Sequence, residues 1–186
     1  MITTKTKLTL EDYFNYKDNS ETRYELEDGQ LIAMAPESDQ NNLISLYLLS
    51  EFLKLVSFKL IRHKDTEIVV TGNRVRLPDL MILTEELLTT LEGKRATITP
   101  DMPPPALVVE VVSPGKMNED RDYRYKRSEY AARGIVEYWI VDPKQAKVTL
   151  LTLVDGLYEE KIFQAPQIIV SPTFSNLSLA ITDIFQ

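Results

Sequence analysis

The sequence predicts an α/β (α+β) domain: a mixed, partly parallel β-sheet covered by helices on both faces, with extra β-hairpins. Three observations lead there. The central order of patterns is helix, strand, strand, strand, helix, strand, and a helix between two strands lets them run parallel. Residues 106–112 form a β-branched apolar run suited to a strand buried on both faces. The chain has 186 residues, 44% hydrophobic and 26% charged, enough for one sizeable core. No linker or repeat interrupts it, so a single domain over 1–186 is expected, with its core at about 39–142.

Thr9 followed by Glu11 and Asp12 reads as the cap and acidic first turn of a short helix. Residues 24–34 read as a hairpin turning at Asp28-Gly29. Ser38 or Asp39 caps a long helix over about 41–59 that is apolar nearly all round, which means deep burial or an interface. Residues 67–70 form a short strand, and 80–83 an apolar run after Pro78-Asp79. Pro103-Pro104-Pro105 is a loop leading into the 106–112 strand. Asn118 caps a helix over about 119–133, stopped by Gly134. Residues 137–142 are another strand, 148–153 and 158–163 a hairpin around Asp155-Gly156, and 181–185 a terminal helical turn.

The chain has no Cys, which excludes disulfides, thiolate metal sites and cysteine nucleophiles. Its one histidine, His63, cannot build a multi-histidine metal site and is expected at the surface. No apolar stretch follows residues 1–5, so a signal peptide is not expected. The apolar stretch 43–60 carries Glu51, Lys54 and Lys59, against a membrane span. A soluble, cytoplasmic protein is the expectation. The net charge of −7 argues against a surface coated in basic groups for passive nucleic-acid binding. Positive charge is local instead: residues 116–133 carry an excess of two, leaving −9 elsewhere.

Three acids interrupt apolar strand patterns: Glu25, Asp79 and Glu110. Glu110 lies inside Leu107-Val108-Val109-Glu110-Val111-Val112. A carboxylate in a buried strand is costly unless it is paired or binds a cation. No neighbour in sequence can pair with it, so the partner is a metal or a distant cation such as Arg76. Asp79 alone also suits a bland Pro-Asp turn. Together the two acids say more, because adjacent strands lie about 4.8 Å apart and matching carboxylates can share one ion. Hard Mg²⁺ prefers such oxygen ligands.

Several segments closely resemble the Uma2 family (DUF820), restriction-endonuclease-like proteins abundant in cyanobacteria. They are Arg76-Leu77-Pro78-Asp79, the run from Pro104 to Pro114, Asp122-Tyr123-Arg124-Tyr125-Lys126, Tyr130-Ala131-Ala132-Arg133-Gly134 and Glu137-Tyr138-Trp139-Ile140-Val141-Asp142-Pro143. The resemblance begins at Arg23-Tyr24-Glu25-Leu26 and is most specific over residues 110–143. It implies the restriction endonuclease-like PD-(D/E)XK fold and a Mg²⁺-dependent endonuclease cleaving DNA, with Mn²⁺ as a substitute. It makes Asp79 and Glu110 the metal-binding acids, Glu25 an extra upstream acid, and Val111 a ligand through its carbonyl.

The parent pattern has a lysine two residues after the glutamate, where this chain has Val112. Alternate strand residues share a face, so that lysine would stand beside Glu110. The resemblance implies a migrated lysine on the following helix, here Lys126. Asp122, Lys126 and Tyr130 recur every four residues and form one stripe. The alternative is an ordinary exposed Asp122–Lys126 pair, with Asp120 and Asp122 as first-turn acids favoured by the helix dipole. As a helix-surface residue, Lys126 would be removable at a cost within about 0.5 kcal/mol. Many relatives carry a histidine near Asn41-Asn42; this chain does not.

The favoured reading is thus catalysis by Asp79, Glu110, Lys126 and Glu25 on a DNA substrate, with Arg121, Arg124 and Arg127 as phosphate contacts. Two rivals remain: a catalytically degenerate module binding nucleic acid or protein, and a hydrolase of another phosphoester. A homodimer is expected, because the long helix has too little polar surface to face water on every side.

Overall fold

The computed structural model describes residues 7–18, 20 and 22–186. The expectation about residues 1–5 lies outside the described residues.

The chain opens with α1 (Leu10–Asn15), closed by a capping box in which Thr9 and Asp12 satisfy each other's backbone N–H. A hairpin, β1 (Tyr24–Glu27) and β2 (Gln30–Ala33), turns at Asp28 and Gly29, both at positive φ. Helix α2 (Asp39–Phe52) starts at Ser38, whose hydroxyl accepts the Asn41 N–H. It ends seven residues before the expected 59, because Ser57 caps a separate 3₁₀ turn, Phe58–Leu60. That turn delivers the chain to β3 (Ile61–His63).

Strands β4 (Glu67–Val69), β5 (Val75–Arg76) and β6 (Leu80–Ile82) follow, then α3 (Glu85–Leu91) and β7 (Thr97–Ile98). Next comes β8 (Leu107–Val111), buried at every residue. The expected helix over 119–133 is three consecutive segments: α4 (Lys116–Asp120), a π-helical turn Arg121–Tyr125, and α5 (Lys126–Arg133). Asn118 is not its cap. The helix begins earlier, at Gly115 (φ 112°), and Asn118 donates its side-chain amide to the Pro114 carbonyl. Gly134 ends it at φ 81°, as expected. The chain finishes with β9 (Glu137–Asp142), β10 (Lys147–Val154), β11 (Leu157–Gln164), β12 (Ile168–Ile169), β13 (Leu179–Ala180) and α6 (Ile181–Ile184).

Two main sheets result. The larger runs β11-β10-β9-β8-β6-β3, with β8 and β9 parallel and the other pairs antiparallel. The smaller runs β2-β1-β5-β4-β7. The expected first core strand, β4, therefore belongs to the smaller sheet, and β3 takes its place beside β6. Three residues give β3 too little period-2 pattern to read. The main core packs α2, α3 and α5 against the larger sheet through Leu48, Phe52, Leu87, Tyr130 and Trp139. A small separate cluster of Tyr13, Leu26, Val69 and Val75 supports the smaller sheet. The chain crosses from one sheet to the other at Leu77-Pro78-Asp79, between β5 and β6. Among the described residues no helix is long and apolar enough to cross a membrane.

Candidate metal-dependent active site

The crossing brings the acids together. β6 and β8 pair antiparallel, with Leu80 opposite Val109 and Met81 opposite Val108. One step further in that register, Asp79 stands opposite Glu110. Directly opposed residues share a sheet face. Asp79 Oδ2 accepts the Val111 N–H at 2.7 Å, which pins this carboxylate to the end of β8. Val111 thus meets Asp79 through its own backbone.

Glu110 is paired from the helix, not by Arg76. Its Oε1 accepts the Tyr130 hydroxyl at 2.6 Å and forms an ion pair with the Lys126 ammonium at 2.8 Å. Among the described residues no hydrogen bond reaches its Oε2. Lys126 Nζ also lies 3.5 Å from Asp122 Oδ1 and 3.6 Å from Glu25 Oε1. The stripe Asp122, Lys126, Tyr130 faces the sheet, and all three are buried. The exposed ion pair is thereby excluded: Lys126 is 1% exposed. So is the small stability cost expected of a surface lysine, since truncating it strands buried carboxylates. Val112 is buried just past the end of β8, and Lys126 supplies an ammonium to Glu110 from across the helix–sheet interface.

Glu25, from β1, is held by Arg76 Nη1 at 2.9 Å and by the Leu77 N–H at 3.1 Å. Arg76 is fully buried and turns its other edge to Glu129 with two hydrogen bonds at 2.7 and 2.8 Å. Arg74 extends the network to Glu129 and Asp28. Asn41 places its amide 3.4 Å from the Val112 carbonyl.

The titration behaviour follows from this packing. Burial pushes Asp79 up to about 6, and the neighbouring Glu37 adds to it. Burial also raises Glu110; Lys126 opposes that, while Asp79, Asp122 and Glu25 reinforce it. Burial acts on Glu25 too, but Lys126, Arg76 and Arg121 outweigh it and hold the carboxyl below its ordinary value. Lys126 is raised despite burial, because Glu110, Glu25 and Asp122 surround it.

The donor set fits a hard divalent cation. Asp79 Oδ1 and Glu110 Oε2 are unspent oxygens on opposed residues, and both carboxyls carry an electrostatic penalty that a cation relieves. Among the described residues no three acid or histidine side chains form a cage by themselves. A cation here is limited to two carboxylates, backbone carbonyl and water, the coordination typical of Mg²⁺.

The three arginines expected at phosphates each have an acidic neighbour. Arg121 Nε meets Asp122 at 3.2 Å, Arg124 meets Asp120 at 3.4 Å, and Arg127 meets Glu160 at 2.5 Å. Of the three, Arg121 lines a cleft of about 440 Å³ between residues 32–38 and the loop after β8. His63, expected at the surface, is half-buried there, with its Nε2 2.9 Å from Ser45 Oγ. Sequence reasoning missed Glu37, Lys64 and Glu129, and missed the Tyr130 hydroxyl as a partner of Glu110. Only Tyr130 carried a signal, its place on the four-residue stripe.

The Uma2 family model, described as "Putative restriction endonuclease", matches residues 10–182. The chain belongs to the Uma2 family. A solved structure from Anabaena variabilis ATCC 29413, described as "a putative nuclease belonging to DUF820", superposes with a TM-score of 0.73. It covers 96% of this chain and 97% of its own at 18% identity, a likeness of fold. No curated protein matches. The Uma2 match spans every residue of the site, from Glu25 to Tyr130, and the mixed sheets with flanking helices are a nuclease-like fold.

Proposed function

We propose that this Uma2 protein is a Mg²⁺-dependent DNA endonuclease hydrolysing phosphodiester bonds, with Mn²⁺ able to substitute. The observation that carries the reading is Asp79 opposite Glu110 with the buried Lys126 ammonium on Glu110. Asp79, Glu110 and the Val111 carbonyl would hold the cation. A cation there would lower the pKa of bound water and neutralise charge on the scissile phosphate. Lys126 and Tyr130 fix the Glu110 carboxylate through Oε1, leaving Oε2 to face the cation. The Lys126 ammonium, held on Glu110, is the fixed positive charge that would offset charge developing on the phosphorane. Glu25 and Asp122 keep that ammonium charged and aimed. Arg121, Arg124 and Arg127 exchange their acidic neighbours for DNA phosphates.

A cytoplasmic single domain, 1–186, and a homodimer belong to the same proposal. Leu43 and Leu46 on the outer face of α2 and Leu53 at its C-cap are 58, 43 and 45% exposed, and a two-fold partner would cover them. The test is cleavage of several DNA substrates with Mn²⁺, against Glu110→Gln. Metal-dependent cleavage lost in the variant supports the reading; no cleavage by the wild type on any substrate sinks it.

A binding module that has lost cleavage is the second reading. Lys126 engaged by three carboxylates, and arginines already paired with acids, favour it. DNA binding without Mn²⁺ affinity would decide for it.

A further inference from the structure

Lys64 sits in the turn between β3 and β4 with a left-handed backbone, φ 59°. Lysine seldom adopts that conformation. The turn is held by Arg23, whose Nη1 donates to the Lys64 carbonyl at 2.7 Å. The side chain folds inward and is 11% exposed. Its ammonium is buried, and among the described residues it makes no hydrogen bond. The nearest oxygens are Glu37 Oε2 at 3.6 Å and Asp79 Oδ1 at 3.8 Å, beyond hydrogen-bond reach. Glu37 Oε2 is itself without a partner.

An ammonium has three donors, and burying all of them unspent is costly unless an acceptor arrives. Lys126 and Arg76, the other deeply buried cations of the site, both spend theirs on carboxylates. Lys64 alone is held by charge without contact. Its small cavity shares Met34, Ala35 and Glu37 with the larger cleft that Arg121 lines. Rotating the flexible lysine stem past Glu37 would carry the ammonium from the small cavity it shares with Asp79 toward that cleft.

We propose that Lys64 is a phosphate-binding residue, whose ammonium takes a non-bridging oxygen of a nucleic-acid backbone lying in this cleft beside Asp79. The proposal rests on the nuclease reading. A divalent cation held by Asp79 and Glu110 would offset the negative charge that draws Lys64 inward and would repel the ammonium. Phosphate then offers both the opposite charge and the missing acceptors. Arg121, in the same cleft, supplies a second positive group along the backbone.

The experiment is fluorescence-anisotropy titration of a labelled DNA duplex over a range of NaCl, with Ca²⁺ replacing Mg²⁺ to suppress turnover. Wild type, Lys64→Gln, Lys64→Met and Lys64→Arg are compared, and Mn²⁺ binding is measured for each by calorimetry. Each phosphate contact contributes about 0.9 to the slope of log affinity against log salt. Both neutral variants should lose about that much slope and bind more weakly at low salt, while Lys64→Arg keeps the wild-type slope. Lys64→Met keeps the stem in the cavity, so a folding defect in the glutamine variant leaves the test intact. Unchanged slopes in the neutral variants, with wild-type DNA binding intact, make Lys64 a structural counter-ion and overturn the proposal. Wild type that binds Mn²⁺ but no DNA overturns the assigned ligand class. Wild type that binds neither overturns the nuclease reading beneath it.

Discussion

The two flanks of the Asp79–Glu110 pair are built on opposite terms. On the helix flank, Lys126 and Tyr130 meet Glu110 directly, and Arg76, Glu25, Asp122 and Glu129 close a buried network around them. On the turn flank, Lys64 and Glu37 approach Asp79 but stop short of hydrogen bonds. Two lysines thus stand beside two paired acids, one spent and one unspent. The difference teaches where rigidity and adaptability lie. Charges wholly removed from water need an opposite charge close by, because an unpaired buried ion is costly. Charges at the rim of a cleft can stay loosely held and still respond to what enters.

The strongest way to break this contrast is at Arg76. Arg76→Met leaves Glu25 and Glu129 buried without their main partner, and unfolding free energy should fall by about 3–5 kcal/mol in chemical denaturation. A loss under about 1 kcal/mol would mean that the helix flank is not a tight network. Lys126→Ala should cost a similar amount, about 3–5 kcal/mol, and single-turnover cleavage should fall by about 10²-fold or more. Wild-type cleavage by a folded Lys126→Ala protein would remove Lys126 from the chemistry.

Tyr130→Phe tests the same flank at one atom. The ring stays packed against Tyr138, and only the hydroxyl on Glu110 Oε1 is lost. Stability should drop by about 1–3 kcal/mol and Mn²⁺ affinity by about 10-fold or more. Calorimetry with unchanged metal affinity would show that Glu110 holds its position without it. Lys64→Ala is the mirror experiment on the turn flank. It removes no hydrogen bond, and its stability change should stay within about 0.5 kcal/mol. A loss as large as that of Lys126→Ala would erase the distinction between the flanks.

The smallest effect concerns His63, next to Lys64. Burial lowers its pKa, Lys64 and Arg23 add to this, and Asp65 opposes it. Across the helix interface its ring meets Ser45. The folded pKa lies below the unfolded 6.5, so the unfolded chain binds the proton more readily. Stability is therefore full above pH 6.5 and declines as pH falls toward the folded value. His63→Gln should flatten the melting temperature over that window; an unchanged slope would assign it to other groups.

Much of the site was legible in the chain because burying a charge is costly, and that cost shows as an acid inside an apolar run. Glu110 among five aliphatic neighbours, Asp79 at the head of another run, and the 122–126–130 stripe all point inward without coordinates. The elements with strong period or clear caps were legible for the same reason: α1, both glycine-turned hairpins, the two parallel core strands and the Gly134 stop each depend on nearby residues. Tertiary structure alone decided the rest. Strands of two or three residues, such as β3, β5 and β7, have no readable period, so their assignment to sheets waits on pairing with distant chain. The partner of Glu110 could not be chosen between Arg76 and Lys126 by spacing, since that depends on how α5 lies on β8. Likewise the burial of Lys126 and the loose seat of Lys64 arise where segments far apart in sequence converge. Local sequence determines which charges demand partners; only the folded chain determines which partners they meet.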